Sequence, residues 1–235
     1  MFGLIPDGYG WQGGAVTPAT YFALARGTTM LPALEMTKWF DTNYHYLVPR
    51  LAAGQRVELT ENRPLAAFQE AQALGLRTRP VLLGPVSLLL LCKSTDGSDP
   101  LDLLDRLLPL YGRILAELAE AGVAWVQIDE PALVLDLPAK ARAALVRAYE
   151  GLAKGPSPLR LLASYFGTLD ELLPTVLALP IDGLHLDLVR GGAQLEAALA
   201  ARPELWLSLG VVDGRNVWRT DLRATLARLD RKRVV

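Results

Sequence analysis

Apolar positions along the chain fall into two patterns whose alternation predicts a series of strand–helix units. Short apolar runs without regular polar alternation cover Arg79 to Leu83, Ala124 to Ile128, Leu159 to Ala163, Gly183 to Leu186 and Leu205 to Leu209. A strand covered on both faces reads this way, as parallel strands do. Between the runs lie segments with helical spacing, clearest at Leu101, Leu104, Leu107, Leu108, Ile114, Leu115 and Leu118. Helix starts are well marked. Thr17-Pro18 opens one that Gly27 stops, and Asn62-Arg63-Pro64 opens a second that runs to about Leu74, with Gly75 as its end. Asp99-Pro100 opens a third, in which Pro109 is a candidate kink, and Pro138 opens a fourth. Thr168-Leu169-Asp170-Glu171 has the form of a capping box, and shorter helices are expected over Ala193 to Ala201 and Asp221 to Leu229. Strand then helix, about five times over, predicts a βα barrel or a doubly wound sheet.

Composition narrows the class. The 235 residues are 51% hydrophobic, enough for a sizeable core, and 21% charged, with a formal net charge of -1. That balance offers no field for nucleic acid or an anionic membrane, so an anionic ligand must be held by local groups. The lone cysteine, Cys92, cannot form an intramolecular disulfide and fits a reducing, cytoplasmic setting. We expect it to be buried and inert. Met1 to Asp7 has neither the basic start nor the apolar stretch of a signal peptide, and Leu88 to Cys92 is far too short to span a bilayer.

The chemistry gathers where strands end. Asp129-Glu130 follows Ile128, Asp187 follows Leu186 and Asp213 follows Val212, at the position of active sites in barrels. The plainer reading is that these acids cap helices or bind loop amides. The segment Glu35 to Tyr46 mixes Lys38, Trp39, Phe40, Asn43, Tyr44 and His45. Such a mixture suits a flat, anionic ligand, with rings that stack and a lysine for a carboxylate. It also suits a hairpin whose aromatics fill the barrel's flank. Neither His45 nor His185 has a cysteine or another histidine at metal-ligand spacing, and a satisfied structural histidine is expected for both. Phosphate-loop, dinucleotide, nucleophile-elbow and HExxH signatures are absent, and Gly10-Trp11-Gln12-Gly13-Gly14 reads as a turn.

That glycine-rich phrase, together with Glu35 to Tyr46, Gly84-Pro85-Val86-Ser87, Trp125 to Leu133, Leu184 to Gly191 and Gly210 to Asn216, resembles the N-terminal half of cobalamin-independent methionine synthase. The resemblance covers nearly the whole chain. It implies an α/β fold of the parallel (βα)8 TIM-barrel type, here incomplete, with about five to six βα units in one domain over 1–235. It further implies a two-barrel enzyme. The C-terminal barrel binds zinc and homocysteine and takes the methyl group of 5-methyltetrahydropteroyl-polyglutamate; the N-terminal one is a metal-free copy that helps hold the folate. The lysine that contacts folate in the family is Lys38 here, and Trp39, Asn43, His45, Asp129, Glu130, Asp187, Asp213 and Arg215 are further candidates around the barrel mouth. No catalytic residue and no cofactor is expected in this chain itself.

Departures from the family pattern carry expectations too. The family's glycine- and lysine-bearing opening segment is missing, the chain stops at Arg233-Val234-Val235, and Arg50 replaces a usual acid. Open strand edges are then expected to need a partner, either a C-terminal catalytic barrel or a second copy. A thiolate zinc site needs at least two cysteines. By comparison with the catalytic half, Ser164 and Phe166 stand for its His-x-Cys pair, Asp187 for its glutamate ligand and Arg215 for its catalytic histidine. The competing functions are a stand-alone hydrolase pairing Asp129 or Glu130 with Asp187, and a non-enzymatic remnant.

Overall fold

The computed structural model describes residues 1–230; the expectation about Arg233-Val234-Val235 lies outside them. In the N-terminal part, α1 (Pro18–Arg26) is capped by Thr17, whose hydroxyl accepts from the Thr20 amide, and ends at Gly27 with φ 82°. There a Cβ would lie 2.7 Å from the Leu31 carbonyl, so glycine is required on both counts. Strands β1 (Met36–Lys38) and β2 (His45–Leu47) form an antiparallel hairpin with Lys38 opposite His45. Next come β3 (Arg50–Leu51), α2 (Arg63–Ala73) with Asn62 as its cap, β4 (Val81–Leu83), α3 (Pro85–Leu90) and β5 (Lys93–Ser94), which pairs in parallel with β3.

The second part alternates regularly. A 3-10 turn at Pro100–Leu103 leads into α4 (Leu104–Glu120), so Asp99 caps the turn rather than the α-helix itself, and Pro109 sits inside α4 without ending it. Beyond it lie β6 (Trp125–Asp129), α5 (Ala139–Leu152), β7 (Leu159–Ala163), α6 (Leu173–Leu177), β8 (Gly183–Asp187), α7 (Gln194–Ala201), β9 (Trp206–Gly210) and α8 (Leu222–Asp230). The expected capping box does not form. Asp170–Leu172 is a 3-10 turn without a side-chain cap, and the Leu169 amide is taken by Gln194 Oε1 at 2.7 Å.

Five strands make one parallel sheet in the order β4-β6-β7-β8-β9. This is the βα series the apolar runs predict, a partial barrel with β4 and β9 at its edges. Alternation along the strands sorts the side chains. Val126, Ile128, Leu162, Leu184 and Leu186 are buried in the main core with Leu107, Tyr111, Ile114 and Leu118 of α4. Each such aliphatic side chain contributes roughly 1.5–3 kcal/mol by leaving water. The opposite faces form two registered rows. One runs Val81, Gln127, Leu161, Gly183, Trp206; the other runs Leu83, Asp129, Ala163, His185, Ser208. The second row lies toward the strand C-termini and carries Asp129, His185 and Ser208.

Candidate functional site

Asp129 is the last residue of β6, and two donors hold its carboxylate. Gln127 Nε2 donates to Oδ1 at 2.7 Å and the Tyr165 hydroxyl donates to Oδ2 at 3.1 Å. Burial raises its pKa against the pull of these bonds. Along the same row, His185 Nδ1 lies 2.8 Å from Ser208 Oγ, and burial lowers the imidazole pKa. His185 is therefore the satisfied histidine the sequence suggests. His45 is not; it is exposed on β2 with no hydrogen bond from its ring to any described residue.

The loops after β8 and β9 supply the rest. Asp187 is buried and accepts from the amides of Val189 and Arg190 and from Arg190 Nη1, all within 3.1 Å. Asp213 accepts from the Arg215 amide at 3.0 Å and from Asn216 Nδ2 at 2.6 Å; the Arg215 amide is the main cause of its lowered pKa. For these two acids the loop-binding reading describes the geometry. A hollow of about 240 Å³ opens among Tyr165, Phe166, His185, Asp187, Arg190 and Arg215.

The β1–β2 hairpin is fastened over this mouth. Asp41, at its tip, forms a close ion pair with Arg215, whose Nη2 also donates to the Asp41 carbonyl at 2.7 Å. Arg190 stands 3.7 Å from the same carboxylate. Phe40 packs against Phe166 with ring centroids 5.7 Å apart, and Trp39 packs edge-on to both Phe40 and Tyr46. Lys38 is exposed, as is Asn43, and the Lys38 ammonium makes no ion pair or hydrogen bond with a described residue. Glu35 to Tyr46 thus forms a hairpin in which Trp39, Phe40 and Tyr46 pack against neighbouring rings while Tyr44 and Lys38 are exposed.

Glu130 does not reach the mouth. It is fully buried, and its carboxylate accepts from the amides of Val86 at 3.2 Å and Ser87 at 2.7 Å, capping α3. Gly84 makes room for it, since a Cβ there would lie 2.2 Å from the carboxyl group. The carboxylate pair of a hydrolase loses one member to α3, and Asp187 is engaged by three donors. The groups at the mouth also do not fit zinc. Phe166 has no donor atom, Asp187 is already occupied, and no three His, Cys, Asp or Glu side chains gather at metal-binding distance among the described residues.

Sequence reasoning did not single out Tyr165, Arg190 or Asp41 as site residues. Asp41 stood inside the densest polar–aromatic phrase, and Arg190 lies three residues past the end of β8. Tyr165 and Asp41 have partners remote in sequence, and Arg190, though it pairs locally with Asp187, meets Asp41 only through the fold, so no local pattern announces these contacts.

The sequence matches the family described as cobalamin-independent synthase, N-terminal domain, over residues 1–234. The chain belongs to this family. It is 69% identical over 234 residues to a protein of Acidiphilium cryptum (strain JF-5) named 5-methyltetrahydropteroyltriglutamate–homocysteine methyltransferase, covering 97% of this chain and 30% of that protein. A protein of the same name from Chelativorans sp. (strain BNC1) is 55% identical over 241 residues, with 97% and 31% covered. The chain of this cobalamin-independent synthase domain thus spans about 30% of the length of these relatives. Among solved structures, a B12-independent methionine synthase from Shewanella sp. W3-18-1 shares the fold at a TM-score of 0.60 and 14% identity, covering 77% of this chain and 57% of that one.

Proposed function

We propose that this chain, as one unit over 1–235, is the folate-holding half of a methionine synthase that moves a methyl group from 5-methyltetrahydropteroyl-polyglutamate to homocysteine. Transfer itself takes place in a separate, zinc-bearing C-terminal barrel; zinc there activates the homocysteine thiol, and this chain is inactive alone. The observation that carries the reading is the outward-facing Lys38 ammonium, unpaired among the described residues, on a hairpin tied down over the barrel mouth. A lysine is a compact, mobile point charge suited to a glutamate carboxylate. At an exposed position one such contact contributes about 1 kcal/mol or less, so several carboxylates or a second surface must share the binding. The remnant alternative differs only in lacking a complementary polypeptide. The setting is the cytoplasm, in keeping with a single buried thiol; no helix among the described residues is long and apolar enough to cross a membrane.

The test is methyl transfer from the triglutamate substrate to homocysteine with zinc present, measured for the chain alone and with a C-terminal barrel of a relative supplied in trans. Activity is expected only in the mixture, and Lys38→Ala raises the KM for the triglutamate a few-fold with kcat unchanged. Turnover by the chain alone, or an unchanged KM, overturns the reading.

A further inference from the structure

Two guanidinium groups converge on one carboxylate at the hairpin tip. Arg215 meets the Asp41 carboxylate through Nη1 and the Asp41 carbonyl through Nη2, so two oxygens of a single residue fill its fork. Arg190 Nη2 stands 3.7 Å from the same carboxylate, while its Nη1 donates to Asp187 at 3.1 Å. The Arg215 guanidinium has no other hydrogen bond to a described residue; Asp213 takes only its main-chain amide. Both arginines also line the hollow of about 240 Å³ at the mouth. His185 lines it with them, and Nδ1 of its ring is the nitrogen held by Ser208.

A planar fork with two oxygens before it is how arginine recognises a carboxylate. Asp41 fills that fork from an element with little structure of its own, two strands of three residues. Left-handed backbone at Phe40, next to Asp41, works against the closed arrangement. All three charged side chains are partly exposed, where solvent weakens an ion pair. An incoming anion can therefore replace this contact. We infer that Arg215 and Arg190 form a carboxylate seat, which Asp41 occupies as an internal stand-in until a glutamyl carboxylate of the ligand displaces it. This rests on the folate reading proposed above. Lys38 is three residues from Asp41, so their Cα atoms are at most about 11 Å apart. A polyglutamate tail with one carboxylate on Lys38 thus brings the next within reach of the seat. A lone carboxylate has no such tether and competes poorly with Asp41, which has one.

Isothermal titration of the full chain with 5-methyltetrahydropteroyl-triglutamate and with the monoglutamate tests this. Asp41→Ala empties the seat. It is expected to tighten triglutamate binding about three- to five-fold, as the loss of one exposed competing ion pair allows, and to leave the monoglutamate unchanged. Arg215→Ala removes the seat and is expected to weaken triglutamate binding by a similar factor; adding Asp41→Ala to it then gains nothing. If Asp41 only braces the hairpin, Asp41→Ala weakens triglutamate binding instead, and that result or no change overturns the inference. Equal tightening for both ligands would mark a general charge effect and overturn it too. A triglutamate affinity that falls with Lys38→Ala but does not rise with Asp41→Ala removes the seat while leaving the proposed function standing. If the chain takes up no triglutamate, both readings fail.

Discussion

The rings of Phe40 and Phe166 meet at 5.7 Å, and both residues hold left-handed backbone, with φ 51° and 77°. Such a conformation costs a non-glycine residue on the order of 1–3 kcal/mol, and it persists only where the surroundings over-determine it. Here one strained residue braces the other across the gap between hairpin tip and barrel loop. Phe166→Ala is expected to loosen the tip. Hydrogen exchange at the Trp39 and Thr42 amides, which close the hairpin turn, should speed up while exchange in β6 and β7 is unchanged.

Asp41→Asn removes the charge that Arg215 and Arg190 share. The partners are 42% and 54% exposed across the Arg215–Asp41 pair, so the loss of stability is expected to be about 1 kcal/mol or less. Thermal unfolding at low ionic strength should reveal it. In about 1 M salt, where charges are screened within roughly 3 Å, the variant and the parent should converge.

Glu130 gives the fold a pH dependence. Burial drives its carboxyl pKa up from 4.5 to about 7, against the bonds from Ser87 and Val86. Between those values the folded chain keeps a proton that the unfolded chain has lost. Stability attributable to this group therefore falls as pH rises through that window and levels off above it. Glu130→Gln removes the slope. It also leaves one α3 amide without an acceptor, at about 1–3 kcal/mol. Urea unfolding at several pH values measures both.

Cys92 should resist thiol reagents in the native chain. It is buried, its Sγ lies 3.1 Å from the Leu88 carbonyl, and burial pushes the thiol pKa up to about 12. A thiolate fraction that small leaves little nucleophile at neutral pH. Labelling is expected to track global unfolding across a denaturant series; fast labelling of the folded chain would contradict the packing around α3.

The five parallel strands and most helix starts were legible because their causes are local. Thr17, Asn62 and Asp99 each cap the helical turn that begins one residue later, and apolar runs reveal strands covered on both sides. The failures share a different cause. The Thr168 box does not form because the helical turn starts later, at Asp170, and the Leu169 amide before it is held by Gln194, 25 positions away. Glu130 resembled a mouth residue until α3 folded back on β6 and claimed it. Tyr165 carries no motif at all; only the approach of Asp129, 36 positions away, gives its hydroxyl a partner.

Asp41 and Arg215 are 174 positions apart. On a ribosome adding about 5–20 residues per second, on the order of ten to thirty seconds separate their synthesis. For that interval the nascent chain carries a lid without a catch, and until Phe166 is made the Phe40 backbone has nothing to hold its unfavourable twist. The catch can therefore close only after every strand of the sheet beneath it has been made.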